Sequence, residues 1–307
     1  MRGILWRNLL AYHHPNMRFY FSPHWALLKK VVTSWLDDYA PSMGAALAYY
    51  TLFSLAPLLL IVISVAGLVF GQDAARGEIE SQLRGLMGEQ GASAVQSLLV
   101  SVDKPTEGMT ATVVGIVLLL VGATTVFGEL QDSLDRIWRA PTQDRSGGWL
   151  ALIRARLLSF GMILAIGFLL MVSLILSAVL SIVEHWWSTL FGGWLFVANL
   201  VNGIAGFFLI AAIFALIYKI MPRVSVQWRD VWIGAVFTAL LFTLGKVMIG
   251  FYIGRSGVVS GFGAAGSLVV VLLWVYYSAQ IFLIGAEFTW VYANTLGSRK
   301  PPEKIPA

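Results

Sequence analysis

Long apolar runs separated by short polar segments make up most of this chain. A helix needs roughly 20 apolar residues to cross a hydrocarbon core of about 30 Å, and six runs reach that length. They cover residues 43–70, 110–128, 157–183, 194–218, 231–253 and 264–292. Because these runs are continuous and do not alternate apolar with polar positions, they predict spanning helices and exclude the strands of a membrane barrel. The predicted fold is all-α: a polytopic membrane protein with six transmembrane helices plus amphipathic interfacial helices.

Outside these runs, the pattern predicts shorter amphipathic helices. From Trp25 onward, apolar residues recur at helical spacing opposite Lys29 and Lys30, which predicts a helix that lies at the membrane interface or packs beneath the bundle. Between the first two runs, residues 71–109 contain two amphipathic stretches separated near Gly88. These stretches could cap an outward cavity or lie on the bundle as a helical hairpin, and the pattern favours the hairpin.

The basic residues predict how the spans are oriented. Sixteen of the 21 Lys and Arg lie in the N-terminal arm, the second and fourth loops and the C-terminal tail, four lie in the remaining loops, and Lys246 lies inside a span. By the positive-inside rule, this asymmetry places both termini in the cytoplasm. The chain then divides into a cytoplasmic arm (1–42), a transmembrane domain (43–292) with an extracytoplasmic loop (71–109), and a cytoplasmic tail (293–307).

The composition supports a membrane protein and narrows its chemistry. Hydrophobic residues make up 58% of the chain and charged residues only 12%, and there is no cysteine. A thiolate nucleophile, a thiolate metal site and a disulfide are therefore excluded. The net charge of +5 is spread along the membrane edges instead of lying on one soluble surface, which favours membrane lipids, including anionic headgroups, as partners. We expect no nucleic-acid partner, and a homo-oligomer is compatible with the sequence.

Three stretches carry a resemblance to a known family. They are DDYAPSMGAALAYYTLFSLAPLLL around the first span, GELQDSLDRIW after the second, and GAAGSLVVVLLWVYYSAQIFLIGAEF in the sixth. Together with the six-span plan, they resemble the bacterial YihY/BrkB inner-membrane family, historically labelled ribonuclease BN-like. The resemblance implies a multipass protein of the bacterial inner (cytoplasmic) membrane. It implies no single activity, because members carry labels as different as ribonuclease, serum-resistance factor and proposed transporter.

The ionisable residues do not form a pattern typical of an enzyme. A nuclease needs a general base, carboxylates that hold a metal, or paired histidines beside a basic groove. His13, His14 and His24 lie in the N-terminal arm, whereas His185 lies at the far end of the third span. The acidic residues show no metal-ligand spacing on one helix face. We therefore expect no catalytic residues, no bound metal, no cofactor and no enzyme activity.

Polar side chains inside the spans are the best candidates for function, because they are costly in hydrocarbon. At about 1.5 Å per residue, Lys246 and Glu287 differ in depth by roughly 20 Å, so they do not pair with each other. Lys246 could snorkel outward or line a cavity. Glu287 could pair with Arg139, Arg223 or Arg229. The candidate transport path comprises Tyr50, Ser54, Pro57, Asn199, Asn202, Lys246, Gln280 and Glu287.

Two functions from different classes fit this pattern. The first is a transporter or lipid-translocation protein that moves a lipid or ion through a polar path between spans one, four, five and six. The alternative is a non-transporting envelope-integrity or scaffold membrane protein, in which the same polar residues serve helix packing. The first function predicts a cavity lined by Lys246 and the two asparagines, whereas the second predicts a dry, fully packed bundle.

Overall fold

The computed structural model describes residues 23–102, 125–141, 194–255, 261–262 and 265–300. Within them lie seven helices. These are α1 (Pro23–Asp37), α2 (Ala40–Phe70), α3 (Gln72–Val102), α4 (residues 125–137), α5 (Trp194–Ile220), α6 (Trp228–Arg255) and α7 (Gly266–Thr295). None of the described residues forms a strand, which confirms the all-α prediction for this part of the chain.

Three of the described stretches are long and apolar enough to cross a membrane: Gly203–Ile220, Trp228–Arg255 and Gly266–Thr295. They coincide with the predicted fourth, fifth and sixth spans, and α2 covers the predicted first span. The predicted third span at 157–183 and most of the second at 110–128 lie outside the described residues. The count of six spans therefore stays a prediction.

Four of the other described helices pack directly against α7. It packs against α1, α2, α3 and α6, and α5 packs along α6. α6 and α7 run antiparallel, since Gly234 near the start of α6 faces Thr289 near the end of α7, and Gly245 faces Tyr277. Small residues allow this close approach, because a methyl group on Gly234 would lie 1.8 Å from Thr289 Oγ1. Small residues thus allow a close contact along the seam between α6 and α7.

α1 packs where α2 begins and α7 ends, and we call this end of the bundle the α1 end. Val31 and Ser34 are buried against the bundle. The exposed apolar face consists of Trp25, Leu28, Val32 and Leu36. Tyr39 has a left-handed backbone, with φ of 58°, and this tight turn leads the chain from α1 directly into α2. The predicted amphipathic helix is confirmed, with one face packed on the protein and the other exposed.

α3 packs at the opposite end of the bundle, which we call the α3 end. Its helix is interrupted at Gly88, where φ is 75° and ψ is 177°, a conformation that glycine adopts without a steric penalty. The two halves bury Met87 and Val95 against Ile253 of α6 and Val270 of α7. The prediction of two helices separated near Gly88 is confirmed, and they lie on the bundle as a hairpin.

Candidate functional site

Glu287 is an acidic side chain enclosed within α7, the central helix. Its relative exposure is 0%, and neither of its carboxylate oxygens has a hydrogen-bond partner. The charged groups that act on it are Asp38, in the turn between α1 and α2, then Arg139 and Asp37. Of the three arginines that the sequence offers as partners, Arg139 is the one beside it.

The surroundings of Glu287 follow from the way α1, α2 and α7 meet. Leu283 and Ala286 of α7 are buried with Ala40 and Met43 at the start of α2. The small alanine side chains let α7 and the first turn of α2 approach each other closely. The left-handed turn at Tyr39 then brings the preceding Asp38 against α7. An acidic pair therefore lies in an otherwise apolar contact, which is costly unless a partner compensates it.

Arg139 is held next to this pair by the end of α4 and by Trp290. Its backbone is left-handed, with φ of 51°, and its N–H donates to the Arg136 carbonyl at 3.0 Å. Its guanidinium carbon lies 4.3 Å from the centroid of the Trp290 ring, and Lys30 Nζ lies 5.9 Å from the same ring. The cation is therefore positioned by stacking on an aromatic face.

A cavity of about 790 Å³ adjoins Arg139 at the α1 end. Its lining residues are Met43, Glu129, Asp132, Ser133, Asp135, Arg136, Arg139, Ala140, Pro141 and Arg223. Three carboxylates and three guanidinium groups thus face one volume. Asp135 and Arg223 form an ion pair at 3.3 Å, and the Arg223 backbone N–H also donates to Asp135 Oδ1 at 2.8 Å. This pair holds α4 to the segment that follows α5.

Two of the cavity carboxyls have shifted proton affinities. Burial raises the pKa of Glu129, the nearby charge of Asp132 raises it further, and Arg136 opposes the shift. Burial also raises the pKa of Asp135, against the opposing bond and charge of Arg223. In both cases the partly buried site disfavours the ionised form of the acid. The cavity therefore contains carboxyl groups that ionise less readily than exposed ones. It also contains arginines, which stay charged at all physiological pH values.

A second, smaller cavity of about 80 Å³ lies at the α3 end. Most of its lining comes from the two halves of α3, including Glu80 and Gln96, with Ile63 of α2 closing one side. Gln96 Nε2 donates to Glu80 Oε2 at 3.4 Å. Because Glu80 and Gln96 already bond each other and the volume is small, the larger cavity is the better candidate for a ligand.

The predicted path residues lie in different parts of the bundle. Gln280 Nε2 donates to the Pro41 carbonyl at 3.4 Å, and its Oε1 atom is buried without a partner. Ser54 is buried and donates to the Thr51 carbonyl at 3.1 Å. The ring of Tyr50, which is partly buried, packs edge-on against the neighbouring Tyr49.

Lys246 lies apart from this group, at the α3 end. Its Nζ atom donates to the Gly85 carbonyl of α3 at 3.4 Å. The side chains of Pro57, Asn199 and Asn202 lie outside the described residues, although their backbones belong to α2 and α5. The structure thus brings Gln280 and Glu287 together along the α7 face toward α1 and α2, and separates Lys246 from them. None of the eight lines either of the two cavities described above.

Sequence reasoning passed over the residues that line the larger cavity. Glu129, Asp132 and Asp135 recur every three residues in GELQDSLDRIW, a spacing that also fits the polar face of an amphipathic helix. Asp38 lies in DDYAP, at the start of the first stretch that carries the family resemblance. One sequence feature could have identified these residues. The acids lie within the stretches that resemble the family, and Arg139 directly follows one of those stretches.

Comparison with known proteins places these elements in a family. A family profile described as "Virulence factor BrkB" matches residues 31–306. The chain belongs to the BrkB family. The matched range contains the acidic pair, the larger cavity and α2 through α7, so these features lie within the BrkB domain.

Curated relatives of this chain are bacterial membrane proteins. A UPF0761 membrane protein of Tolumonas auensis is 28% identical over 86% of this chain and 86% of its own length. A UPF0761 membrane protein of Pseudomonas aeruginosa is 29% identical over 88% of this chain but only 63% of its own length. The BrkB chain thus spans less than two thirds of the Pseudomonas relative. No solved structure matches it.

Proposed function

We propose that this BrkB protein is a transporter or lipid-translocation protein that moves a lipid headgroup or an ion across the bacterial inner membrane. In this proposal both termini and the α1 end face the cytoplasm, and the protein has no enzyme activity. The observation that carries the proposal is the cavity of about 790 Å³ lined by charged side chains at the α1 end.

The size and lining of the cavity suit a charged ligand. Small-molecule sites typically enclose about 300–1,000 Å³, and this volume lies within that range. Arg136 and Arg139 offer planar donors that match phosphate or carboxylate oxygens, while Glu129 and Asp132 offer acceptors for an ammonium group. A zwitterionic or anionic headgroup would find partners for both signs of charge.

The position of the cavity supports access from the membrane interface. The exposed apolar face of α1 places Trp25, Leu28 and Val32 on the outside of the same end of the bundle. An amphipathic helix of this kind lies at the boundary between headgroups and acyl chains, and Lys29 and Lys30 in the same helix attract anionic lipids. A headgroup at this level would lie close to the cavity.

The onward path in this proposal follows the seam between α2 and α7. Arg139 belongs to the cavity lining and also acts on Glu287. Gln280 lies two turns along α7 from Glu287, and its unpartnered Oε1 atom is buried against α2. Polar groups inside a span are expensive, so an unsatisfied one is a natural candidate for a functional path.

Reconstitution of the purified protein tests the proposal. We expect liposomes of phosphatidylethanolamine and phosphatidylglycerol that contain the protein to show either exchange of acyl-chain-labelled phospholipids between leaflets or an ion current. The Arg136→Gln variant should lose most of that signal, because it removes a cavity cation. The Arg84→Gln variant is the matched control, because Arg84 pairs with Glu80 and Glu89 at the α3 end.

Absence of both signals from the parent protein at full insertion would overturn the proposal and favour the scaffold function. Equal signals from the Arg136→Gln variant and the parent would instead show that the cavity is not part of the path.

A further inference from the structure

Asp38 and Glu287 form an acidic pair whose bonding the transport path alone does not explain. Three of its carboxylate oxygens, Asp38 Oδ2 and both oxygens of Glu287, are buried and without a hydrogen-bond partner. Most buried polar atoms in proteins have such a partner. Three orphan oxygens on two neighbouring side chains therefore indicate that a ligand is needed at this point.

The chemistry of the two groups defines that ligand. Ionised carboxylates accept hydrogen bonds and cannot donate them, and two adjacent carboxylates in a water-poor site cannot both remain ionised. One proton resolves both difficulties, because a protonated carboxyl group becomes a donor to its neighbour. The two side chains would then share an O–H···O bond.

The surrounding charges favour a single proton over a metal ion. Arg139 supplies one positive charge near the pair, and Asp37 supplies an exposed negative one. Lys30 of α1 lies against Trp290, α2 contains no acidic or basic residue, and Asp230 of α6 accepts bonds from Ser298. Among the described groups, Arg139 is the cation that acts on Glu287, and Lys30, although it lies over the same Trp290 ring, does not.

Geometry also argues against a hydrated cation. Neither Asp38 nor Glu287 lines the two cavities described above, and the described residues contain no group of three possible metal ligands. A proton needs no volume and no third ligand. Met43 and Arg139, which adjoin the pair, also belong to the lining of the larger cavity.

We propose that Asp38 and Glu287 form a proton-binding site and that Arg139 couples its occupancy to the adjacent cavity. When the proton leaves to water in the cavity, the pair gains one negative charge and attracts the guanidinium of Arg139 away from Trp290. When a proton returns, Arg139 is released to the cavity and to its ligand. The coupling rests on the proposed transport function, whereas the proton site does not.

Infrared difference spectroscopy of the purified full-length protein tests the proton site directly. At about pH 8, where exposed carboxyl groups are ionised, the parent should show the C=O stretch of a carboxylic acid, and this band should shift in D₂O. The Glu287→Gln variant should lose the band. The Glu80→Gln variant, a matched control at an exposed ion pair, should keep it.

A second variant keeps the test decisive if Glu287→Gln fails to fold. Asp38→Asn replaces the hydrogen-bond partner of Glu287, so the band should change its frequency or disappear. No band in the parent, or a band unchanged in whichever of these variants folds, would overturn the proton site.

Transport assays on the same samples separate the two proposals. A band that depends on Glu287, together with no transport by the parent, supports the proton site and overturns the transport function. Transport that is equal in the parent and in Glu287→Gln overturns the coupling. Transport by the parent that the variant loses supports both.

Discussion

Around Gly285 and Glu287, the polar groups on the two faces of α7 differ in their hydrogen bonding. Toward α5 and α6, the Tyr218 hydroxyl donates to the Phe282 carbonyl at 2.7 Å and lies 3.1 Å from Thr238 Oγ1. Thr238 and Thr289 donate in turn to the carbonyls four residues before them, each at 2.7 Å. Toward α1 and α2, Glu287 and Gln280 have buried oxygens without any partner.

We interpret this difference as a division of roles within one helix, with one face serving helix packing and the other serving the transport path. Small residues and satisfied hydroxyls let helices approach closely in a membrane, and they account for the seam between α6 and α7 without a further role. Orphan carboxylate and amide oxygens destabilise the fold, so their presence needs another explanation. The face toward α1 and α2 is therefore where we place the path, and substitutions on the two faces should have opposite effects.

The largest expected effect lies on the packed face, at Gly285. A methyl group there would lie 2.0 Å from Thr238 Oγ1 and 2.6 Å from the Tyr218 hydroxyl oxygen, so the helices must separate. Gly285→Ala should lower the free energy of unfolding by about 1–3 kcal/mol, although alanine favours a helix over glycine by about 1 kcal/mol. SDS-induced unfolding of the purified protein measures this change.

Gly250→Ala in α6 is the control for that substitution, because nothing lies within 4 Å of the added methyl group. We expect it to keep or raise the stability. Equal stability of the Gly285→Ala variant and the parent would show that the α6–α7 seam is looser than the contacts indicate.

A smaller loss is expected from Tyr218→Phe, which keeps the ring and removes the two hydroxyl contacts. The free energy of unfolding should fall by about 1 kcal/mol, the usual net contribution of a hydrogen bond. Thr238 keeps its bond to the Gly234 carbonyl, so no second donor is orphaned. Transport per folded molecule should be unchanged, and a loss of transport would move the path to this face.

Lys246→Met should have a local effect at the α3 end. It removes the bond to the Gly85 carbonyl, so hydrogen exchange in the first half of α3 should become faster by an amount that corresponds to about 0.5–1 kcal/mol. Val247→Met, at a neighbouring exposed position, is the control for introducing a methionine on this part of α6. If Lys246 belongs to the path, as its sequence position predicts, transport should also disappear at equal folding, and unchanged transport would remove it from the path.

The smallest effect is expected at Glu129, with the opposite sign. Because the pKa of Glu129 is raised in the folded protein, its contribution to stability is greatest below the unfolded pKa and is lost as pH rises through the folded pKa. Glu129→Gln should therefore raise the melting temperature slightly at neutral pH, and the gain should vanish at about pH 4. A gain that persists unchanged at low pH would contradict the assigned cause of the shift.

Features with a local signal could be predicted from the sequence. The apolar periodicity from Trp25 onward predicts α1, and the Gly-rich stretch around Gly88 predicts the break in α3. In both cases the residues that determine the structure are neighbours along the chain. The long apolar runs predict α5, α6 and α7 for the same reason.

The candidate site depends on contacts between distant residues, which the sequence does not reveal. Asp135 meets Arg223 across 88 positions, and Asp38, which directly precedes the left-handed turn at Tyr39, meets Glu287 of the last helix. The pattern showed that Glu287 is costly in a span and that Arg139 is one candidate partner. It could not show that a second carboxylate lies against Glu287.

Transport by reconstituted Glu287→Gln and Tyr218→Phe proteins, measured per folded molecule and beside SDS-induced unfolding, tests the division between the two faces most directly. We predict that Tyr218→Phe is less stable and transports like the parent, whereas Glu287→Gln is at least as stable and transports neither labelled phospholipid nor ions. Transport by Glu287→Gln at the parent's rate, or its loss in Tyr218→Phe, would contradict this account.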